Sequence, residues 1–280
     1  EFSHILEIDL DRNPVIPDAQ DWYFKDLISL SGISKVQASK ILQDHRTDFV
    51  TLIRRFNSLG DPKDMNFQTY CNGVFCLCMM AQFLFHDYED GPNDVLVNVA
   101  LQVGRRHNPT ILCLAETFHG LDRAKREGVP FISGSPHLLQ LWLIERLQLA
   151  PHPVSSVRMK IFHPGRTILL LHSTTDDWHA WMQKLTPSAL DFNGAWYSAT
   201  RSVFSLGQHA WVWLIGLRTS SYYFPNRIMR QFGHPQEVLT GTFPRPPLNT
   251  LTRKTALNFR KHWEARKFIK HNYDRVDNSL

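Results

Sequence analysis

The chain is poor in cysteine: Cys71, Cys76, Cys78 and Cys113 are the only four among 280 residues, and none stands in a paired CxxC framework. That excludes a disulfide scaffold, and it excludes the usual zinc sites, which want four ligands at spacings such as CxxC with HxxxH. The expected state is free, buried thiols in a reducing compartment, three of them on one apolar helix. Long apolar runs are missing as well. The most apolar stretch, Gly73 to Phe85, is thirteen residues with Gln82 inside it, short of the ~18–20 residues that span a bilayer. It reads as a buried helix at the centre of the fold, and no membrane association is expected.

Signatures of common chemistry are absent too. There is no GxxxxGK[ST] phosphate loop, no GxGxxG after a strand and no GxSxG elbow. Ser133-Gly134-Ser135 precedes a helix and reads as its cap. No lysine is singled out for a Schiff base, so a pyridoxal enzyme is not indicated and no cofactor is expected. The fourteen histidines contain no HExxH; only His172 and His179, flanking Asp176 and Asp177, have a spacing at which a His/Asp acid–base or metal site is conceivable. Asp87, Glu89, Asp90 and Asp94 suggest a calcium loop in the wrong register: with Asp87 as position one, the glycine required at position six is Pro92. The loop reads as a solvated acidic cap for the helix that follows. No catalytic or metal residue is assigned.

What the sequence does have is 43% apolar and 12% aromatic residues, enough for a sizeable core. Helical periodicity recurs. Asp21–Leu30 ends at Gly32; Ser34 caps Lys35–Leu42 with Val36 and Ile41 inward; Phe49, Leu52, Ile53 and Phe56 mark a helix ending near Gly60. Helices over Asn66–Phe85 and Val95–Val103 follow, and one opened by Pro109 buries Ile111, Leu112, Leu114, Ala115, Phe118 and Leu121 and ends in the charged run Asp122–Glu127. Arg123, Lys125 and Arg126 there read as cations complementing the helix dipole rather than as phosphate ligands. The core helix is expected after Ser135, with Pro136 first and the stripes Leu138/Trp142 and Leu139/Leu143/Leu147 inward. A helix is expected over Asp176–Leu185 with Trp178 and Trp181 inward, and a short strand over Ile168–Leu171. Trp196–Leu217 fits strands or a buried helix equally. The fold class is mainly α: a multi-helix bundle with a few short strands or extended segments in the 160–217 region.

Two motifs carry a family resemblance. Leu138-Leu139-Gln140-Leu141-Trp142 with Glu145-Arg146 is similar to a helix of the plant mobile domain family, called aminotransferase-like in old usage, and of its retrotransposon-associated plant relatives. Phe224-Pro225-Asn226-Arg227-Ile228-Met229-Arg230-Gln231-Phe232-Gly233 resembles the "P-x-R-V-L-R-Q-F-G" string of the same family. The resemblance runs from about Glu1 to Pro244. It implies a mostly helical plant nuclear domain, carried by transposons and by host genes of gene silencing, with no known catalytic site. The chain opens without a methionine and in mid-pattern, so an N-terminally truncated domain is expected over 1–241, a Pro-rich linker over 242–250 and a partly helical basic tail over 251–280. The motif residues Leu139, Gln140, Trp142, Arg146, Pro225, Arg227, Arg230, Gln231, Phe232 and Gly233 are read as structural, with an anion clamp by Arg227 and Arg230 as the alternative.

Charge is concentrated at one end. Between Leu251 and Leu280 eight Lys/Arg oppose three Asp/Glu, so the whole excess of +5 lies in that segment. Arg253, Lys254, Arg260, Lys261, Trp263, Arg266, Lys267 and Lys270 are the candidate nucleic-acid contacts, with Phe259 and Trp263 interleaved as aromatic surfaces or as anchors. Drawn as one continuous helix, the cations surround it instead of forming a stripe. The expected function is a non-enzymatic, nuclear, transposon-associated domain that binds protein partners or chromatin; the alternative is the nucleic-acid-binding part of a retroelement protein.

Overall fold

Short polar signals delimit the first helices. The computed structural model describes residues 2–20, 23–58, 60–61, 63–87, 92–129, 131–146, 180, 183–184, 201–206, 211–217, 220–225 and 252–270. After α1 (Phe2–Ile5) and an extended stretch containing Pro14 and Pro17, α2 (Phe24–Ser31) stops at Gly32, whose N–H donates to Ile28 O. Ser34 opens α3 (Lys35–Ile41) with a capping box: its hydroxyl accepts from Gln37 N, and the Gln37 side chain accepts from Ser34 N. A turn at Asp44 and His45, both at positive φ, joins β1 (Leu42–Gln43) to β2 (Arg46–Thr47). Asp48 precedes α4 (Phe49–Ser58) and accepts from the Thr51 hydroxyl and N–H, which hold its carboxyl below the usual range.

The main core centres on α6 (Val95–Gly104), where Val95 through Ala100 are all buried. Helices α2 and α5 (Met65–Met79) pack against it, adding Leu27, Leu30, Val74 and Leu77. Full burial of each such side chain contributes roughly 1.5–3 kcal/mol. Buried Asn98 is satisfied: its amide donates to Asp26 Oδ2 at 2.8 Å and to Asp18 Oδ2 at 3.3 Å, and its oxygen accepts from Gln102 Nε2 at 2.7 Å. Gln102 also exchanges hydrogen bonds with both backbone groups of Ile16, tying the N-terminal extended stretch to α6. These partners remove the 1–3 kcal/mol penalty of a bare buried amide.

Several expectations are corrected here. The helix after Ser135, α8 (Pro136–Arg146), joins the main core through buried Leu138 and half-buried Trp142, whereas Leu139 is half-buried and Gln140 exposed; the side chains of Leu143 and Leu147 lie outside the described residues. The apolar run at Gly73–Phe85 is buried on one side only. Helix α5 passes into one π-helical turn, Met80–Leu84, and leaves Met65, Phe75, Met79 and Phe83 exposed, Phe75 by 63%. Of the thiols, Cys113 alone is buried and Cys76 is exposed. Val36, expected inward, is 66% exposed, because Ala38 and Ile41 form the buried side of a two-turn helix. Asp94 does not cap α6; Asn93 Oδ1 takes the Val95 N–H, and the Asp94 carboxylate is buried 3.4 Å from His45 Nδ1.

Helix α7 (Thr110–Glu127) is the spine between this core and a second one. Leu112 and Cys113 face the first core; Ile111 and Ala115 face the second, with Ile16, Val212, Leu214, Ile215, Phe259 and Trp263. Strands supply much of the second core: β4 (Val212–Ile215) pairs antiparallel with β5 (Ser220–Tyr223), and β3 (Arg201–Leu206) pairs antiparallel with β6 (Arg266–Lys270). The ambiguous 196–217 stretch is thus strand over 201–206 and 212–215. Strand β6 lies inside the segment expected as a tail. The fold is mainly α, and among the described residues no helix is long and apolar enough to cross a membrane. The expected strand at 168–171, the linker and most of the 176–185 helix, including Trp178 and Trp181, lie outside the described residues.

The segment before α8 is pressed onto α7. Ser135 N donates to Thr117 Oγ1 at 3.1 Å, and Ser135 Oγ donates to Phe83 O in the π turn at 2.9 Å. Two backbone bonds of 2.8 Å join His86 and Gly134. This closeness needs two glycines. A Cβ on Gly120 would lie 2.1 Å from Ser133 O, and one on Gly134, at φ +92°, would lie 2.6 Å from Thr117 N. In an ordinary exposed helix, Gly→Ala stabilises by roughly 0.5–1 kcal/mol. Gly120→Ala is expected to do the opposite, destabilising by about 1–3 kcal/mol in urea unfolding, since the clash is with backbone and cannot be relieved by a rotamer. An unchanged or raised midpoint would mean that the contact is looser than described.

Candidate nucleic-acid interface

The last helix among the described residues, α9 (Arg253–Glu264), starts where Thr252 Oγ1 accepts from Thr255 N at 3.1 Å and ends at Ala265. Phe259 and Trp263, one turn apart, are buried in the second core with ring centroids 6.0 Å apart, and Trp213 of β4 meets Phe259 edge-on at 6.0 Å. Trp263, expected beside the cations as a stacking surface, is only 3% exposed. It anchors the helix.

That anchoring orients the charge. At about 100° per residue, Arg253, Lys254, Arg260 and Lys261 fall within an arc of about 120° on the side away from Phe259 and Trp263. All four are exposed, and the same arc holds two more exposed residues, Leu257 between the pairs and Glu264 at the C-terminal end. The expectation that cations surround the helix is corrected because the helix stops at Glu264: Arg266 and Lys267, which filled in the other side of the wheel, belong to β6. Among the described residues none of the four is in an ion pair, unlike α7, where Arg123 pairs with Glu127 at 3.0 Å and Arg126 with Asp122 at 3.8 Å.

The remaining candidates divide. Lys267 is exposed on β6. Arg266 is engaged: Nη1 donates to Trp263 O at 3.0 Å, Nη2 lies 3.9 Å from Asp11 Oδ1, and its guanidinium covers the Trp263 and Phe268 rings at 5.0 and 5.3 Å. It fastens the helix to the ribbon and to the N-terminal stretch. Lys270 stands opposite Arg201 in the strand register. Of the motif residues, Pro225 is buried at the end of the β5 segment, Arg146 ends α8, and Arg227, Arg230, Gln231, Phe232 and Gly233 lie outside the described residues, as do His172 and His179.

A family model described as a domain of unknown function (DUF7745) matches residues 49–276. The chain belongs to this family. The matched span begins at the first residue of α4 and runs through α9 and β6, so the DUF7745 region includes the basic helix and its anchors. Helices α2 and α3 precede it, yet supply Leu27, Leu30, Ala38 and Ile41 to the same core. No curated protein and no solved structure matches the chain.

One group that the sequence reading missed holds the platform for α9. Glu116 of α7 accepts from the N–H of Leu217, just past β4, at 2.6 Å, and Phe118 stacks on Tyr223 of β5. Its only sequence signal is an acid set among the inward residues of α7. Burial pushes the Glu116 carboxyl up to about 7, the Leu217 N–H pulls the other way, and the charge of Asp87 adds to the rise; Cys113, a turn earlier, is itself raised by burial and by Glu116. Among the described residues no group of three or more His, Cys, Asp or Glu side chains is placed to hold a metal ion.

The sign of the pH effect follows. Between the ordinary glutamate value of 4.5 and about 7 the folded chain holds a proton that the unfolded chain has released, so this group's contribution falls as pH rises through that window. The loss is up to ~3 kcal/mol above it. Glu116→Gln keeps an oxygen for Leu217 and removes the charge. Melting temperatures at pH 5 and pH 8 are expected to show the variant gaining several degrees over the parent at pH 8 and little at pH 5. An equal effect at both would mean that Glu116 does not change protonation between pH 5 and pH 8.

Proposed function

We propose that this DUF7745 domain is a non-enzymatic nucleic-acid-binding module that contacts the phosphate backbone through the exposed basic face of α9. The observation that carries the reading is the burial of Phe259 and Trp263, which turns Arg253, Lys254, Arg260 and Lys261 outward together. Four outward cations with no ion pair among the described residues suit a polyanion better than a solvated helix, where both signs usually alternate. The two motifs that resemble the plant mobile domain support a multi-helix bundle of that class and a setting in the nucleus, linked to transposon biology or gene silencing.

Fluorescence anisotropy of a labelled duplex against salt tests it. Log affinity is expected to fall with log salt at a slope of about −3 to −4, as for four neutralised phosphates. Changing Arg253, Lys254, Arg260 and Lys261 together to Gln should reduce affinity at ~100 mM salt by at least tenfold and flatten the slope. Binding unaffected by the four changes would remove α9 as the interface.

A second observation favours a protein partner as well. Met65, Phe75 and Met79 are exposed along one side of α5, with Phe83 beyond them in the π turn, the kind of apolar surface that marks an interaction site. Changing Phe75 and Met79 to Ser is expected to leave the melting temperature within about 2 °C, since surface changes cost within ±0.5 kcal/mol. A large drop would show that this side is packed.

A further inference from the structure

We infer that the partner of the α9 face is duplex nucleic acid, held across a groove by its two phosphate rows, and that single strands are bound less tightly; this rests on the proposed function. Recognition of single strands without sequence preference relies on aromatic side chains on which bases stack, worth about 1–3 kcal/mol per base. Helix α9 has its aromatic residues sealed. Phe259 is fully buried, Trp263 nearly so, and the guanidinium of Arg266 lies 5.0 Å from the centroid of the Trp263 ring. Trp213 is only half-buried, yet it is held by Phe259, His262 and Tyr222 with centroids 6.0, 6.0 and 6.5 Å away. On the exposed face the one large apolar residue is Leu257, which has no π surface. An unstacked strand therefore gains only charge from this helix.

A duplex gains more, for a geometric reason. The cations form two pairs, Arg253/Lys254 and Arg260/Lys261, seven residues apart, which is about 10 Å along a helix axis. That separation is close to the distance between the phosphate rows bordering a groove about 12 Å wide. The duplex presents one charge per ~1.7 Å of axis in fixed rows, so both pairs are satisfied without ordering a flexible chain. The helix is anchored by Phe259, Trp263 and the Arg266 bond to Trp263 O.

The test is competition between a 20-base-pair duplex and either of its strands for the full 280-residue chain at ~100 mM salt. Duplex binding at least tenfold tighter is expected. Changing Arg253 and Lys254 to Gln, or separately Arg260 and Lys261 to Gln, should each bring the duplex down to within about threefold of the single strand, because either change leaves one row unheld. These are exposed surface substitutions, and far-ultraviolet circular dichroism checks that the fold is retained. Equal or tighter binding of the single strand, or a duplex preference that survives loss of either pair, overturns the inference while the nucleic-acid reading stands. Binding of neither nucleic acid, or binding of phosphatidylserine vesicles alone, overturns that reading and the inference with it.

Discussion

Much of this fold depends on how closely the Ser133–Ser135 segment lies against α7. With no Cβ on Gly120, the Ser133 carbonyl sits where a methyl group would otherwise be, and Gly134 adopts a backbone conformation that side chains rarely tolerate. The hydroxyl of Ser135 then reaches Phe83 O at the π turn while its N–H reaches Thr117. Three elements, the π turn, α7 and the start of α8, are locked at one point.

From that lock α7 serves both cores. One side of it closes the main core with Leu112 and Cys113; the other carries Ile111 and Ala115 into the second core and Glu116 into a bond with the β4–β5 hairpin. The hairpin presents Trp213 to Phe259, and α9 lies against it by its aromatic side. The exposure of four cations is therefore the far end of a chain of packing contacts. Charge alone would not have arranged them, since exposed cations repel and a solvated helix has no reason to choose a face.

The same view explains why composition says little about chemistry here. A net charge of +5 is modest for 280 residues, and spread over the surface it would mean little. Four of the cations share one arc of α9. The family match names a domain of unknown function, and its span reaches from α4 through β6, so the helix and its anchors fall inside the matched region while the contributions of α2 and α3 to the core fall outside it.

By itself the sequence determined the local features: the capping box at Ser34, the stop at Gly32, the helices that begin near Phe49, Val95 and Pro109, the serine before Pro136, and a mainly α class. These depend on neighbours within a turn or two, where residue type and spacing carry the physics. Only the tertiary structure decided the rest. It made α6 the centre instead of α8, left one side of α5 uncovered, joined β3 to β6 across sixty residues of sequence, and ended α9 at Glu264 so that its cations share a face. Each of those outcomes turns on contacts between residues far apart in the chain, such as Leu217 with Glu116 and Trp213 with Phe259, and periodicity in one segment holds no information about which distant surface will cover it.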